Sequence, residues 1–330
     1  MKAWAVVALL CLTACSSPAD SSAARRTSTP APPSAAPTRS ASSAAPSHPL
    51  LWTVGPSLPV AVSEVGVAVL GRTLHVLGGY VDGHPHSTTH LVYDVASGTW
   101  HRAAPLPHAV DHVGAVALDG KLWVVGGYGA GGATNAVWVW DPATDSWSPG
   151  PALPAPRAAG ICVVLDGHIH YVGGKRGATD LHDHLVLVGS TWHTAAPIPT
   201  ARDHAAFAVL DGLLYVGVGR PHDLKTFTVY DPTTDRWSRL PDVPLGRSSV
   251  AGVAFHGMVL IIGGEHPAEQ GVDTEVDAYV PGSRRWTRLP DLPMGLQGTQ
   301  AGVIGDVLYL PGGGPVGGGR VQSDRLLELR

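Results

Sequence analysis

An all-β fold, a six-bladed β-propeller with four antiparallel strands per blade, is predicted by three repeats that share one period. Tryptophans at Trp52, Trp100, Trp147, Trp192, Trp237 and Trp286 are spaced 48, 47, 45, 45 and 49 residues apart. The second glycine of a recurring doublet, at Gly79, Gly127, Gly174, Gly219, Gly264 and Gly313, keeps the same spacings. A proline behind an apolar residue marks each unit again, at Pro59, Pro107, Pro154, Pro199, Pro244 and Pro293. Composition agrees. With 15% charged residues, 41 Gly and 29 Pro, the chain suits short strands joined by tight turns and disfavours a helical bundle.

The chain begins with an address. Met1-Lys2 gives a positive start and Ala3 to Leu12 an apolar run of ten residues. As a helix that run rises about 15 Å, roughly half the hydrocarbon core, so it reads as a signal peptide (residues 1–14) and not a span. Its end, Leu12-Thr13-Ala14-Cys15, resembles the bacterial lipobox, which implies a lipid on Cys15 and an extracytoplasmic, membrane-anchored place in a bacterial envelope. Several acyl chains hold a protein to a bilayer without a spanning helix.

Residues 15–50 form an expected disordered tether. From Ser16 to Leu50, 29 of 35 residues are Ser, Ala, Pro or Thr, too little apolar area to offset the entropy of ordering. Extended, such a segment reaches on the order of 100 Å.

The repeats occupy residues 51–330, the expected propeller domain. Within one unit, Gly114 to Leu118 meets Asp119-Gly120 and then Lys121 to Val125, which is a hairpin signal. A third strand follows at Val137 to Asp141, and a fourth begins at Trp147. Four strands repeated radially make propeller blades. The sixth unit has no Trp of its own. Leu51 to Val54, carrying Trp52, is therefore expected to supply its outer strand and close the ring.

The apolar run, Gly-Gly, Tyr-Asp and Trp order resembles the kelch family. Gly78-Gly79, Tyr93-Asp94 and Trp100 carry it in the first unit. Gly126-Gly127, Trp140-Asp141 and Trp147 carry it in the second, and Tyr230-Asp231 with Trp237 in the fourth. The third unit departs, turning through Gly189-Ser190, and the fourth has Gly217-Val218-Gly219 where the doublet stands elsewhere. The glycines and tryptophans read as scaffold: glycine allows close backbone approach and positive φ, and tryptophan supplies contact between blades.

Candidate functional residues follow from counting forward from each marker proline. The third position holds Val62, Val110, Arg157, Arg202, Arg247 and Leu296; the fifth holds Glu64, His112, Ala159, His204, Ser249 and Gly298. Tyr80, Tyr128, Lys175-Arg176, Arg220 and Glu265-His266 follow the glycines on the same face. Arg157, Arg202 and Arg247, with His112, His204, Tyr80, Tyr128, Arg220 and His266, are thus a candidate ligand-binding mouth. Guanidinium forks suit carboxylate or phosphate, although bracing of adjacent loops is the competing role for the three arginines.

No metal or other cofactor is expected. His84, His86 and His90, and His182 and His184 with Asp180, are placed in loops where solvated imidazole is the simpler reading. His75 and His170 fall in a column of large rings and read as packed. Cys162 is the domain's lone cysteine, in a small apolar column, and reads as buried and inert. A copper oxidase like galactose oxidase, similar only in scaffold, is excluded on that ground. Without Lys2, Arg25, Arg26, Arg39 and Asp20, 18 basic residues face 25 acidic ones, with no basic stripe for nucleic acid.

The expected function is a non-catalytic, lipid-anchored binding module for an extracytoplasmic protein, glycan or anionic small molecule. The alternative is a carbohydrate-active enzyme similar to the kelch-type sialate mutarotases, in which Glu64 or Glu265 acts as base beside Arg202 or Arg247.

Overall fold

The computed structural model describes residues 49–266 and 271–330. The expected signal peptide, Cys15 and all but the last two residues of the expected tether lie outside them. Among the described residues every regular element is a strand.

Six four-stranded antiparallel sheets follow one another along the chain. Blade one contains Gly66–Leu70, Thr73–Leu77, His90–Asp94 and Thr99–Arg102; blade two contains Gly114–Leu118, Lys121–Val125, Val137–Asp141 and Ser146–Pro149. Blades three, four and five begin at Ile161, Ala206 and Ala251 in the same order. Blade six contributes Gly302–Ile304, Val307–Pro311 and Leu326–Leu329, and its outer strand is Trp52–Val54. Trp52 pairs with Leu329, Thr53 with Glu328 and Val54 with Leu327. The propeller is six-bladed and closed by its N-terminal strand.

Local chemistry fixes the hairpins. Asp119-Gly120, Asp166-Gly167, Asp211-Gly212 and His256-Gly257 all have two successive positive φ angles, the turn whose twist matches the strands it joins. At Gly127, φ is +104° and an added Cβ would stand 2.7 Å from the Asp111 carbonyl oxygen, so no side chain fits there.

The apolar core is a circle of interfaces between neighbouring blades. Leu74, Val76 and Tyr93 of blade one pack with Tyr309 and Leu326 of blade six. Tyr215 and Phe227 of blade four meet Ile261 and Tyr279 of blade five. The marker tryptophans lock each interface by donating Nε1–H to the loop of the preceding blade. Trp100 reaches Pro56 O, Trp147 reaches Ala104 O, and Trp192 reaches Pro151 O. Trp237, Trp286 and Trp52 reach the carbonyls of Ala196, Pro241 and Pro290. All six bonds measure 2.8–3.0 Å.

Two histidine pairs are built into blades one and three. His90 donates Nδ1–H to Ala104 O, and its Nε2 accepts from His75 Nδ1 at 2.9 Å. His184 and His170 repeat this with Ala196 O, ring to ring at 2.8 Å. Burial first, and then the neighbouring imidazole, push His75 down to about 3 and His170 to about 4. His90 and His184 are therefore buried strand residues, and the loop clusters drawn around them are not assembled. Cys162 is buried, and desolvation pushes its thiol far up.

Candidate functional site

The site grows from the segments that lead into each first strand. Three successive backbone positions do three jobs. The third residue after the proline accepts the second glycine's N–H from the preceding blade, as Val110 O does from Gly79 and Arg247 O from Gly219, both at 2.9 Å. The fourth pairs with the residue after its own glycines, as in Asp111 with Tyr128, Asp203 with Arg220 and Ser248 with Glu265.

The fifth residues bond to one another. Glu64 donates its N–H to Gly298 O, Gly298 to Ser249, Ser249 to His204, His204 to Ala159, Ala159 to His112, and His112 to Glu64. The six bonds, 2.5–3.0 Å long, close into a circle around the axis. Each of the six residues has a positive φ, between 49° and 64°. Non-glycine residues resist that region, so the closed set of bonds holds five of them in strained backbone.

Three ring side chains converge. His112 Nε2 lies 3.0 Å from Glu64 Oε2, and its Nδ1 lies 2.6 Å from Asp111 Oδ1. His204 Nδ1 contacts Asp203 Oδ1 at 2.5 Å, leaving Nε2 as the nitrogen without a hydrogen bond among the described residues. The two imidazoles meet edge to face, centroids 4.9 Å apart. Burial opposes charge on both members of the first pair, but each outweighs it for the other. His112, as neighbouring charge and hydrogen-bond partner, holds Glu64 down to about 2; Glu64, with the Asp111 hydrogen bond, holds His112 up to about 10. His204 moves the other way: burial, joined by the charges of Arg220 and His112, lowers it more than Asp203 raises it.

Between these side chains lies a cavity of about 60 Å³, with Val67, Ala115 and Phe207 toward the channel interior. It has room for one ion and a few waters, not for a sugar. Outside the ring, Tyr80 and Tyr128 stand edge-on to His112. Lys175 bridges Asp180 at 3.0 Å and Asp203 at 3.2 Å. Arg220 pairs with Glu265, which also accepts from Ser249 Oγ and from the Gly318 N–H. His266 Nε2 turns aside to Asp273 at 3.0 Å. A larger cavity of about 530 Å³ opens here, lined by Arg220, Glu265, Val316, Gly318, Arg320 and Val321.

The expected arginine half-ring is not at the mouth. Arg157, Arg202 and Arg247 are among the most completely buried large side chains in the protein. Arg247 donates to Gly263 O, Asp277 Oδ2 and Ile261 O. Arg202 donates to Val218 O and Thr226. Arg157 pairs with Asp183, its guanidinium 5.9 Å from the Tyr171 ring centre. They brace the blades. The enzymatic pairing of Glu64 or Glu265 with Arg202 or Arg247 is accordingly not formed: Glu64 faces His112, and Glu265 faces Arg220. Asp111 and Asp203, which hold the two ring histidines, were missed in the sequence, where an Asp-His dipeptide at the same register of the second and fourth units was the available signal.

Residues 51–196 match the KLHDC2/KLHL20/DRC7 Kelch-repeats domain. Kelch-like protein terF of Aspergillus terreus is 30% identical over 227 residues, covering 61% of this chain and 50% of that protein. Residues 51–196 of this chain are thus similar to kelch repeats. Human Kelch-like protein 34 is 32% identical over 145 residues, 41% of this chain and 22% of that one. The chain thus spans half or less of these kelch relatives. The solved structure of YjhT superposes with a TM-score of 0.72 at 18% identity, covering 83% of this chain and 96% of that one. That likeness shows the shared propeller fold.

Proposed function

We propose that this kelch propeller is a non-catalytic interaction module that captures an extracytoplasmic protein partner at its mouth, anchored through Cys15 and presented on its tether. The observation that carries the reading is the cleft of about 530 Å³ beside the ring. There Val316 and Val321, each nearly half exposed, stand next to Arg220 and Arg320. Arginine is enriched among the energetic centres of protein interfaces, and the two exposed valines add apolar surface beside it. The kelch-like relatives are consistent with a protein ligand. The address rests on the lipobox-like Leu12 to Cys15 segment.

The test is capture from bacterial envelope extract by the full chain, compared with an Arg220→Ala/Arg320→Ala variant and with Val316→Asp. Capture should fall at least tenfold in both while thermal midpoints stay within a few degrees. Equal capture by all three proteins refutes the reading. A thermal shift with sugar acids alone, lost in the double arginine variant, would replace the protein partner with a small anionic ligand.

A further inference from the structure

The central ring carries a separate inference, independent of what docks on the outer cleft. We propose that Glu64, His112 and His204 form a three-ligand site for a divalent transition-metal ion of zinc-like preference on the propeller axis.

Each of the three offers one donor atom, and the donors lie within 4.8 Å of one another. Bonds of 2.0–2.1 Å at tetrahedral angles place donors about 3.3 Å apart, so small side-chain rotations suffice to close the set. Two imidazoles and one carboxylate form a ligand set that zinc accepts, with a fourth position open.

The surroundings supply what such a site requires. A ligating histidine is oriented when its other ring nitrogen donates to a carboxylate. Here that occurs twice, by the same local device. Asp111 holds His112 and Asp203 holds His204, each from the preceding residue, at 2.6 and 2.5 Å. Both contacts leave Nε2 to face inward. Asp203 is itself fixed by Lys175. The backbone circle sets where all three ligands start, because every ring residue is bonded to both neighbours. Between the two histidines the ring carries Ala159, and across the ring from it stands Gly298. An added Cβ at Gly298 would meet the Glu64 carboxylate, so this glycine keeps the carboxylate's place clear. The cavity of about 60 Å³ accommodates an ion with one or two waters. The histidine-rich loops around His84 and His182 do not gather three donors in this way among the described residues.

The full chain, stripped with a chelator, is titrated with Co²⁺ followed by visible absorption and with Zn²⁺ followed by calorimetry. One equivalent should bind, with cobalt bands of a four- or five-coordinate site. His204→Ala and Glu64→Gln should weaken binding by about 100-fold or more, and Asp203→Asn by about 10–100-fold. A His84→Ala/His182→Ala variant should bind like the parent. His204→Cys guards against loss of fold: it should still bind cobalt and add a thiolate-to-metal charge-transfer band. Absence of stoichiometric binding overturns the site. So does binding that survives in His204→Ala, or binding lost in the loop variant.

Discussion

His204 donates its backbone N–H to the carbonyl of Ala159 at 3.0 Å, while both residues hold a φ of +52°. Neither conformation is comfortable for an L-residue, and each is retained because the next residue in the circle needs it. Ala159 is the simplest place to separate strain from bonding. Ala159→Gly removes the penalty and keeps the N–H, so it should be neutral or stabilise by up to about 1 kcal/mol. Ala159→Pro forbids the positive φ and deletes the donor to His112 O, and should cost about 3 kcal/mol or more. Urea unfolding of both variants checks this. A destabilised glycine variant would mean that the strain assignment is wrong.

Ring closure concentrates in Trp52. Its side chain is buried and its Nε1 donates to Pro290 O, across 238 residues of sequence. Trp52→Phe should cost about 1 kcal/mol for the lost bond, and Trp52→Ala about 3–5 kcal/mol through the emptied interface between blades five and six. Chemical denaturation reads both. If Trp52→Ala unfolds no more easily than an exposed outer-strand change such as Thr53→Ala, the N-terminal strand is an ornament and not a clasp.

Much of this was legible in the chain because a propeller repeats its markers. The period placed the blades, and the missing sixth tryptophan pointed to Trp52. Glu64, His112 and His204 were assigned to one column, and the structure does bring them together. The arginines were misplaced for a physical reason. In an extended strand the third and fifth positions share a face, so Arg202 and His204 were expected side by side. The positive φ at His204 breaks that alternation, and Arg202 turns into its blade while His204 turns to the axis. Sequence alone gives no sign of that conformation at histidine, alanine or glutamate. Asp111 and Asp203 lie between the two positions counted, and their carboxylates meet the ring nitrogens of the residues that follow them.

The paired histidines set a pH limit. Their folded-state values lie at about 3 for His75 and about 4 for His90, His170 and His184, below the ordinary 6.5. The unfolded chain therefore takes up protons first as pH falls. The stability is fully present above pH 6.5 and is lost progressively between 6.5 and about 4, and down to about 3 for His75, at about 1.4 kcal/mol per pH unit for each histidine. Denaturation midpoints at pH 7, 6, 5 and 4 should fall in that order. In NMR titrations of the folded protein the four ring signals should not move between pH 7 and 5. Titration of any of them near 6.5 would contradict the buried neutral relay.

Arg247 and Arg220 should separate bracing from capture. Arg247 is fully buried, with Asp277 Oδ2 at 2.8 Å and backbone carbonyls around the rest of its guanidinium. Removing it leaves the Asp277 carboxylate buried without its partner, so Arg247→Ala should destabilise by about 3–5 kcal/mol. Folded molecules of that variant should keep the mouth's ligand affinity, because nothing of Arg247 reaches the cleft. Arg220 is partly exposed beside Glu265. Arg220→Ala leaves the buried Glu265 carboxylate with two remaining donors, Ser249 Oγ and the Gly318 N–H, which holds the cost to about 1–3 kcal/mol, while capture should fall. Measuring midpoint and capture on both variants decides between the roles. If Arg247→Ala loses capture at full stability, its side chain serves the ligand after all and the bracing assignment fails.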